Sequence, residues 1–378
     1  MPEITLFEDK HSENLYPFHL IEGVEAMRHG AFTQRERWSN VASKLDVNRV
    51  QKVLHINARW VPDDDTLEVL SNLDTNTALV HGNVLLASAL PPDQISGFHQ
   101  RTLASTPAML EHANTLFTGL KDQLQSDLPR LQSDWDLKPY TPVAPTHVFG
   151  TPSDILVSDS AQIQAATLDA THGPIVIGPG AALEAGCHIQ GPVLIHAHAT
   201  IRMGASVKGA TVIGPHCKVG GEISNVHFQG WANKAHDGFL GNSVIGKWCN
   251  LGAGTCTSNL KNTYGEVRQW SVTSQTMRNS GLQFCGLLMG DHSKCGIGTT
   301  FNTGTVVGPA SVIFDAGYPP KHVPAFSWLN AKTGESTLQD LNKMMGTAEK
   351  VMARRNASLS AQSKANLSAL HATRSDET

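Results

Sequence analysis

"IVIGPGAALEAGCHIQGPVLIHAHATIRMGASVKGATVIGPHCKVG", residues 175–220, carries an aliphatic side chain at every sixth position. Ile177, Leu183, Ile189, Ile195, Ile201, Val207, Ile213 and Val219 keep this beat without a miss. Four positions after each stands a small or β-branched residue: Ala181, Cys187, Val193, Ala199, Ala205, Thr211, Cys217 and Ile223. A hexapeptide period is the signature of a parallel β-helix. Each hexad forms a short flat strand and a turn, and three hexads close a triangular coil of about 18 residues. The aliphatic residue points inward, the small one packs beside the corner, and glycine or polar residues make the turn.

The beat resumes at Ile245 and Leu251 ("VIGKWCNLGAG"). Counted in hexads, the gap from Val219 to Ile245 is four periods plus two residues, so the 233–238 region is expected to bulge out of one coil. A larger interruption, 258–281, precedes the last coils, "CGIGTTFNTGTVVGPASVIF". Interruptions in a solenoid map to loops, often on the binding face. The solenoid is thus expected over 151–328.

Upstream lies a different kind of sequence. "EITLF" and "VLHIN" read as strands, "TLEVLSNL" as a helix after the turn-forming "PDDD". Met109, Leu110, Ala113, Leu116, Phe117, Leu120 and Leu124 recur at helical spacing, and "PYTPVAPTHVFGTP" supplies a proline-rich linker. This predicts an α/β domain over 1–145. It contains neither GxGxxG nor GxxxxGK[ST]. Downstream, Ser336 and Gln339 match a capping box, and Leu338, Leu341, Met345, Ala348 and Met352 form one apolar stripe. A C-terminal helix and tail are expected over 336–372, fraying beyond Arg355.

The 378 residues hold 29 basic and 33 acidic side chains, a balance that argues against nucleic acid or an acidic membrane surface as partner. Six scattered cysteines without a CxxC pair read as free thiols of a reducing compartment. The first residues lack the apolar core of a signal peptide, and no stretch approaches the roughly 20 apolar residues of a membrane span. A cytoplasmic protein acting on small molecules is expected.

"KAHDGFLGNSVIGKWCNLGAGTCTSN" (234–259) resembles the acetyltransferase half of GlmU, the bifunctional N-acetylglucosamine-1-phosphate uridyltransferase and glucosamine-1-phosphate acetyltransferase. "FEDKHSENLYPF", "MRHGAFTQRERW" and "DWDL" are similar to a shorter GlmU-like group, described as sugar nucleotidyltransferases with a hexapeptide C-terminal domain. The resemblance implies a left-handed coil, a homotrimer with active sites between subunits, and acetyl-CoA as cosubstrate. It places His236 on the catalytic histidine, a base whose ordinary pKa suits proton removal from an amine near neutrality. Asn259 falls where an oxyanion donor is needed. Arg202 matches an arginine that meets the sugar phosphate, Lys234 and Asn250 match substrate contacts, and Gly296 and Ile297 begin the coils lining the acetyl-CoA channel. Lys321 or His322 lies near an arginine that meets the coenzyme's phosphates.

Three positions depart from that pattern. Phe239 and Leu260 stand where the family has tyrosine, and Asn225 or Val226 where it has lysine. Losing hydroxyl contacts changes substrate choice by orders of magnitude, so the acceptor is read as an amino-sugar phosphate or a nucleotide sugar. The alternative is a sugar-1-phosphate nucleotidyltransferase whose solenoid only assembles subunits. That reading requires Mg²⁺ and phosphate ligands upstream: "PDDD" (62–65) as carboxylates or as a turn and N-cap, and Arg28, Arg35 and Arg37 as phosphate contacts or as a solvated helix face. A third reading, zinc held by His188, His196, His198, His216, His227 and His236, competes with outward turn positions for these residues.

Overall fold

The computed structural model describes residues 2–46 and 53–376. The N-terminal region holds a five-stranded sheet in the order Glu3–Phe7, Val53–Asn57, Val84–Ser88, Thr77–His81, His99–Thr102. "EITLF" and "VLHIN" are its parallel pair. The helix Gln34–Lys44 starts at a capping box in which Thr33 and Glu36 each accept the other's backbone N–H. It packs Trp38 and Val41 against Leu54, Ile56, Trp60 and Leu86. In "PDDD" the Asp63 carboxylate accepts from the Thr66 hydroxyl, and the helix Thr66–Ser71 follows. The helical stretch expected from Met109 begins later: Ala108–Met109 pairs with Trp60–Val61, and the helices are Thr115–Thr118 and Leu120–Asp134.

From Ile155 the chain winds into a parallel β-solenoid. In the regular coils the partners across rungs are 18 residues apart: Ile177 with Ile195 and Ile213, Leu183 with Ile201 and Val219, Ile189 with Val207. These side chains fill one continuous core with Ala181, Cys187, Ala199, Ala205 and Cys217 beside the corners. Full burial of such an aliphatic contributes roughly 1.5–3 kcal/mol, and a period of six repeats that gain at every face.

The phase is lost in a different place from the one the spacing predicts. Rung partners run Val207–Ile223, Ile213–Phe228, Val219–Lys234 and Ile223–Leu240. The inward positions after Val219 are therefore Ile223, Phe228, Lys234, Leu240 and Ile245, five steps of which three are short. Two corners have collapsed to single left-handed residues, Asn225 (φ 57°) and Asn242 (φ 46°), inside the unbroken strands Glu222–Phe228 and Phe239–Ile245. The 233–238 segment stays in register, and Lys234 itself takes an inward aliphatic position.

Three faces and three corners result. On the face holding Ile177, Ile195, Ile213, Phe228, Ile245, Met289 and Val307 the outward residues are Val176, Leu194, Val212, His227, Val244, Leu288 and Val306, apolar but for the buried His227, and the N-terminal domain covers them. Leu120, Leu124 and Leu131 pack on one end of this face, and Leu15, Phe18, Met27 and Phe117 on the other. The seam between domain and solenoid has a buried polar part, where Gln229 bonds the Arg28 backbone at both N and O, and just above it, within the domain, Arg37 makes two 2.7 Å contacts with Asp127. Arg28 and Arg37 are thus buried structural residues, while Arg35 is exposed and paired with Glu25. His196, expected to point outward, packs edge-on against Trp135 and beside Arg28. Burial lowers the pKa of His196 well below the usual range and that of His227 to about 3, so both stay neutral.

A second corner carries His198, His216, Trp231, Trp248 and His292, all left-handed at φ 58–62°. Their rings form a ladder, His216 on Trp231 at 3.8 Å and Trp231 on Trp248 at 4.7 Å. Left-handed φ costs a non-glycine residue roughly 1–2 kcal/mol, and ring stacking along the ladder offsets it. The C-terminal helices pack over this corner. Ser336–Leu338 is a strand paired with Ser327–Asn330, so the capping box expected at Ser336 is absent, its backbone being committed to the ladder. Asp340 caps the helix Leu341–Ala353 instead by accepting from Lys343 N. Beyond Arg355 the chain forms a second helix, Ala361–Asp376, rather than fraying, because Leu359 and Leu367 join Met344, Ala348, Met352, Phe326 and Trp248 in one cluster.

Candidate active site

On the face bearing the outward residues Lys218, Asn233 and Asn250, a cleft of about 740 Å³ opens to solvent. Trp231 and Trp248 of the ring ladder bound it on one side, His236, Ala253 and Ile297 on the other, and Arg354 and Arg355 at the end of a C-terminal helix overhang it. His236 and Ile297 stand two rungs apart on one corner, with Ala253 between them, because Lys234, Leu251 and Cys295, two residues before each position of that column, are stacked. His236 is exposed.

Lys234 explains how the loop is held. Its side chain is only 1% exposed and points into the coil, in the column of Ile201, Val219 and Leu251. The ammonium donates to the carbonyls of Gly220 (3.3 Å), His236 (2.8 Å) and Asp237 (3.3 Å). Burial lowers its pKa, and Cys256 and Asp237 partly restore it. A charge inside an apolar coil is expensive unless satisfied, and here the backbone of the His236 loop satisfies it. Gly238 completes the turn at φ 116°, where a Cβ would strike the Thr255 carbonyl.

The sequence-selected residues separate into groups. His236, Asn250 and Ile297 share the cleft, and Gly296 packs against Gly252 at its floor. Lys234 lies beneath it, inside the coil. Arg202 is on the same corner, separated from Ala235 by Gly220, and is paired with Glu184. Asn259 belongs to the next corner, donating to Asn242 Oδ1 at 2.7 Å, with Phe239 packed close by against Gly241. Lys321 and His322 belong to the face that the N-terminal domain covers, His322 following Val306 in the outward column: Lys321 donates to Thr303, and His322 stacks on Trp270 at 4.1 Å. The histidines of the ladder stack one above another, and no group of three or more His, Cys, Asp or Glu converges on a metal site among the described residues.

Arg354 and Arg355 escaped the reading of the sequence. Their signal is the end of the stripe Met344–Ala348–Met352, which shows where the helix leaves the solenoid but not over which face. Arg355 is anchored there by donating to His216 O (3.1 Å) and Asn233 Oδ1 (3.4 Å).

Residues 4–136 match a family model described as sugar nucleotidyl transferase. Over 73 residues the chain is 36% identical to the bifunctional protein GlmU of Methanocaldococcus jannaschii, 19% of this chain and 17% of that protein. The chain is similar to GlmU over that stretch. It nevertheless spans less than a fifth of that curated relative's length. Among solved structures it is similar to a point mutant of AntD, an N-acyltransferase from Bacillus cereus, in complex with dTDP-4-amino-4,6-dideoxyglucose and coenzyme A. That match has a TM-score of 0.25 and 9% identity, covering 55% of this chain and 91% of that one. AntD with dTDP and 3-hydroxybutyryl-CoA matches at 0.23 and 9%, covering 56% and 92%. No helix among the described residues is long and apolar enough to cross a membrane.

Proposed function

We propose that this protein transfers an acetyl group from acetyl-CoA to the amine of an amino-sugar phosphate or nucleotide sugar, with His236 as general base. The observation that carries the reading is an exposed imidazole on a loop fixed from inside the coil, in a cleft large enough for a sugar. The amine nitrogen attacks the thioester carbonyl, a C–N bond forms and the C–S bond breaks. His236 takes the proton the amine loses, and the departing thiolate is protonated as coenzyme A leaves. Positioned general bases contribute about 10²–10⁴-fold. Asn250 offers the sugar an amide, and Gly296 and Ile297 offer the pantetheine arm a flat, glycine-floored edge.

Asn259 and Phe239 stand one corner away from His236, and Lys321 and His322 on the face docked by the N-terminal domain. Use of both groups in one site requires a homotrimer whose neighbouring edges face each other. The test is thiol release from acetyl-CoA with a panel of amino-sugar phosphates and nucleotide amino sugars. Turnover that vanishes in His236→Ala supports the reading; no turnover with any acceptor removes it.

A second reading rests on the family match over 4–136: the N-terminal domain joins a sugar 1-phosphate to a nucleotide. Pyrophosphate released from UTP, Mg²⁺ and N-acetylglucosamine 1-phosphate would support it. "PDDD" gives it little help, since Asp63 is engaged by Thr66.

A further inference from the structure

We propose that Arg354, Arg355 and Lys218 form a phosphate-binding subsite in the His236 cleft, so the ligand seated there carries a phosphate or diphosphate. The inference deepens the acetyltransfer reading and rests on it for the placement of the amine. Three cationic side chains and His236 line the cleft, and no carboxylate does so among the described residues. Neither arginine is paired with a carboxylate among the described residues, in contrast to Arg202, whose charge Glu184 already meets. Arg355 spends its two described hydrogen bonds on neutral oxygens, His216 O and Asn233 Oδ1. A guanidinium has five N–H donors, so donors remain and the charge is not neutralised.

Cations are favoured at the C-terminal end of a helix by its dipole, which accounts for one arginine at this point but not for its overhang. The overhang follows from packing: Met344, Ala348 and Met352 fix the helix on Trp248 and Phe326, and its end is thereby set above Lys218 and Asn233. Arginine suits a phosphate because its planar fork donates two parallel hydrogen bonds. Since Arg202 is occupied, the anion contact in this chain falls to the C-terminal segment.

The test is calorimetric titration of the full chain with inorganic pyrophosphate. Binding is expected, weakening with added salt, and falling at least tenfold in Arg354→Gln. That variant leaves the Arg355 tether intact, and Arg354→Lys restores much of the affinity. Repeating the comparison with UDP-N-acetylglucosamine and with coenzyme A separates the sources: whichever loses affinity in Arg354→Gln supplies the phosphate. No pyrophosphate binding, or equal binding by wild type and Arg354→Gln, overturns the subsite. Acetyl transfer with KM unmoved in Arg354→Gln likewise removes the subsite and leaves the His236 reading standing. Arg354-dependent pyrophosphate binding without any acetyl transfer removes the reading of His236 and leaves the anion site.

Discussion

Two faces of the solenoid share one backbone geometry and have opposite surroundings. On the face of Ile195 and Ile213 both sides of most strands are apolar, the inner side filling the coil and the outer side, Leu194 and Val212, docking the N-terminal domain. On the face of Val219 and Leu251 the outer residues are Lys218, Asn233 and Asn250, and the inner column is broken once, by Lys234. The first face serves as a platform, and its buried His227 is used to dock the N-terminal domain through Gly30 O. The second leaves its outside open and uses a single buried charge to fix the loop that carries His236. Identical strands thus become scaffold or site according to one outward residue per rung and one inward exception.

The largest effect should come from inverting the docked face. Leu194→Asp puts a carboxylate into the fully buried seam under Leu120 and Leu124, where an unpaired charge is strongly disfavoured. A loss of about 3–5 kcal/mol is expected, seen as a fall in urea midpoint and early proteolysis of residues 1–145. Asn250→Asp on the open face should change stability by under about 0.5 kcal/mol. Equal sensitivity of the two faces would sink the comparison. Next in size is His236→Ala, expected to lower kcat by about 10²–10⁴-fold with an unchanged thermal midpoint, because the imidazole is exposed.

The inward columns, the small corner residues and the strand pairs were legible because a hexad repeats one steric requirement many times. The break in phase was not. A gap of 26 residues fits four periods with an insertion as well as five periods with three short steps, and arithmetic alone does not choose. The chooser is conformational: Asn225 and Asn242 accept left-handed φ and allow a corner to shrink. The double-sided burial of one face was written in "IVI", "VLI" and "TVI", three-residue apolar runs where the other faces alternate. His196 looked like a turn residue because the partner that buries it, Arg28, is 168 residues away. The second C-terminal helix was hidden by its Ser/Ala composition, since only Leu359 and Leu367 pin it. At the cleft, His236 and Asn250 were found by resemblance, whereas Arg354 and Arg355 arrive through helix packing, which local sequence does not specify.

Smaller effects probe the exception itself. Lys234→Met returns an apolar side chain to a column that is otherwise Ile201, Val219 and Leu251. Replacing a buried charge with a hydrophobe of similar length is often neutral or favourable, so stability should move by less than about 1–2 kcal/mol. The carbonyls of His236 and Asp237 lose their donor, the loop loosens, and kcat should fall, by up to about 10²-fold, the scale of a catalytic group misplaced by about 1 Å. An unchanged kcat would mean that Lys234 serves the coil and not the loop. The same pair of proteins carries the smallest prediction, in alkali. Burial holds the Lys234 pKa below 10.5 in the folded state, so between that lowered value and 10.5 the unfolded chain binds more protons. Wild-type stability relative to Lys234→Met should therefore rise with pH across this window, by under about 1 kcal/mol. Lys294 and the cysteines that do not face Lys234 titrate alike in both proteins and cancel in the difference, so urea midpoints at a series of pH values above neutrality isolate Lys234 together with Cys295, the buried thiol coupled to it.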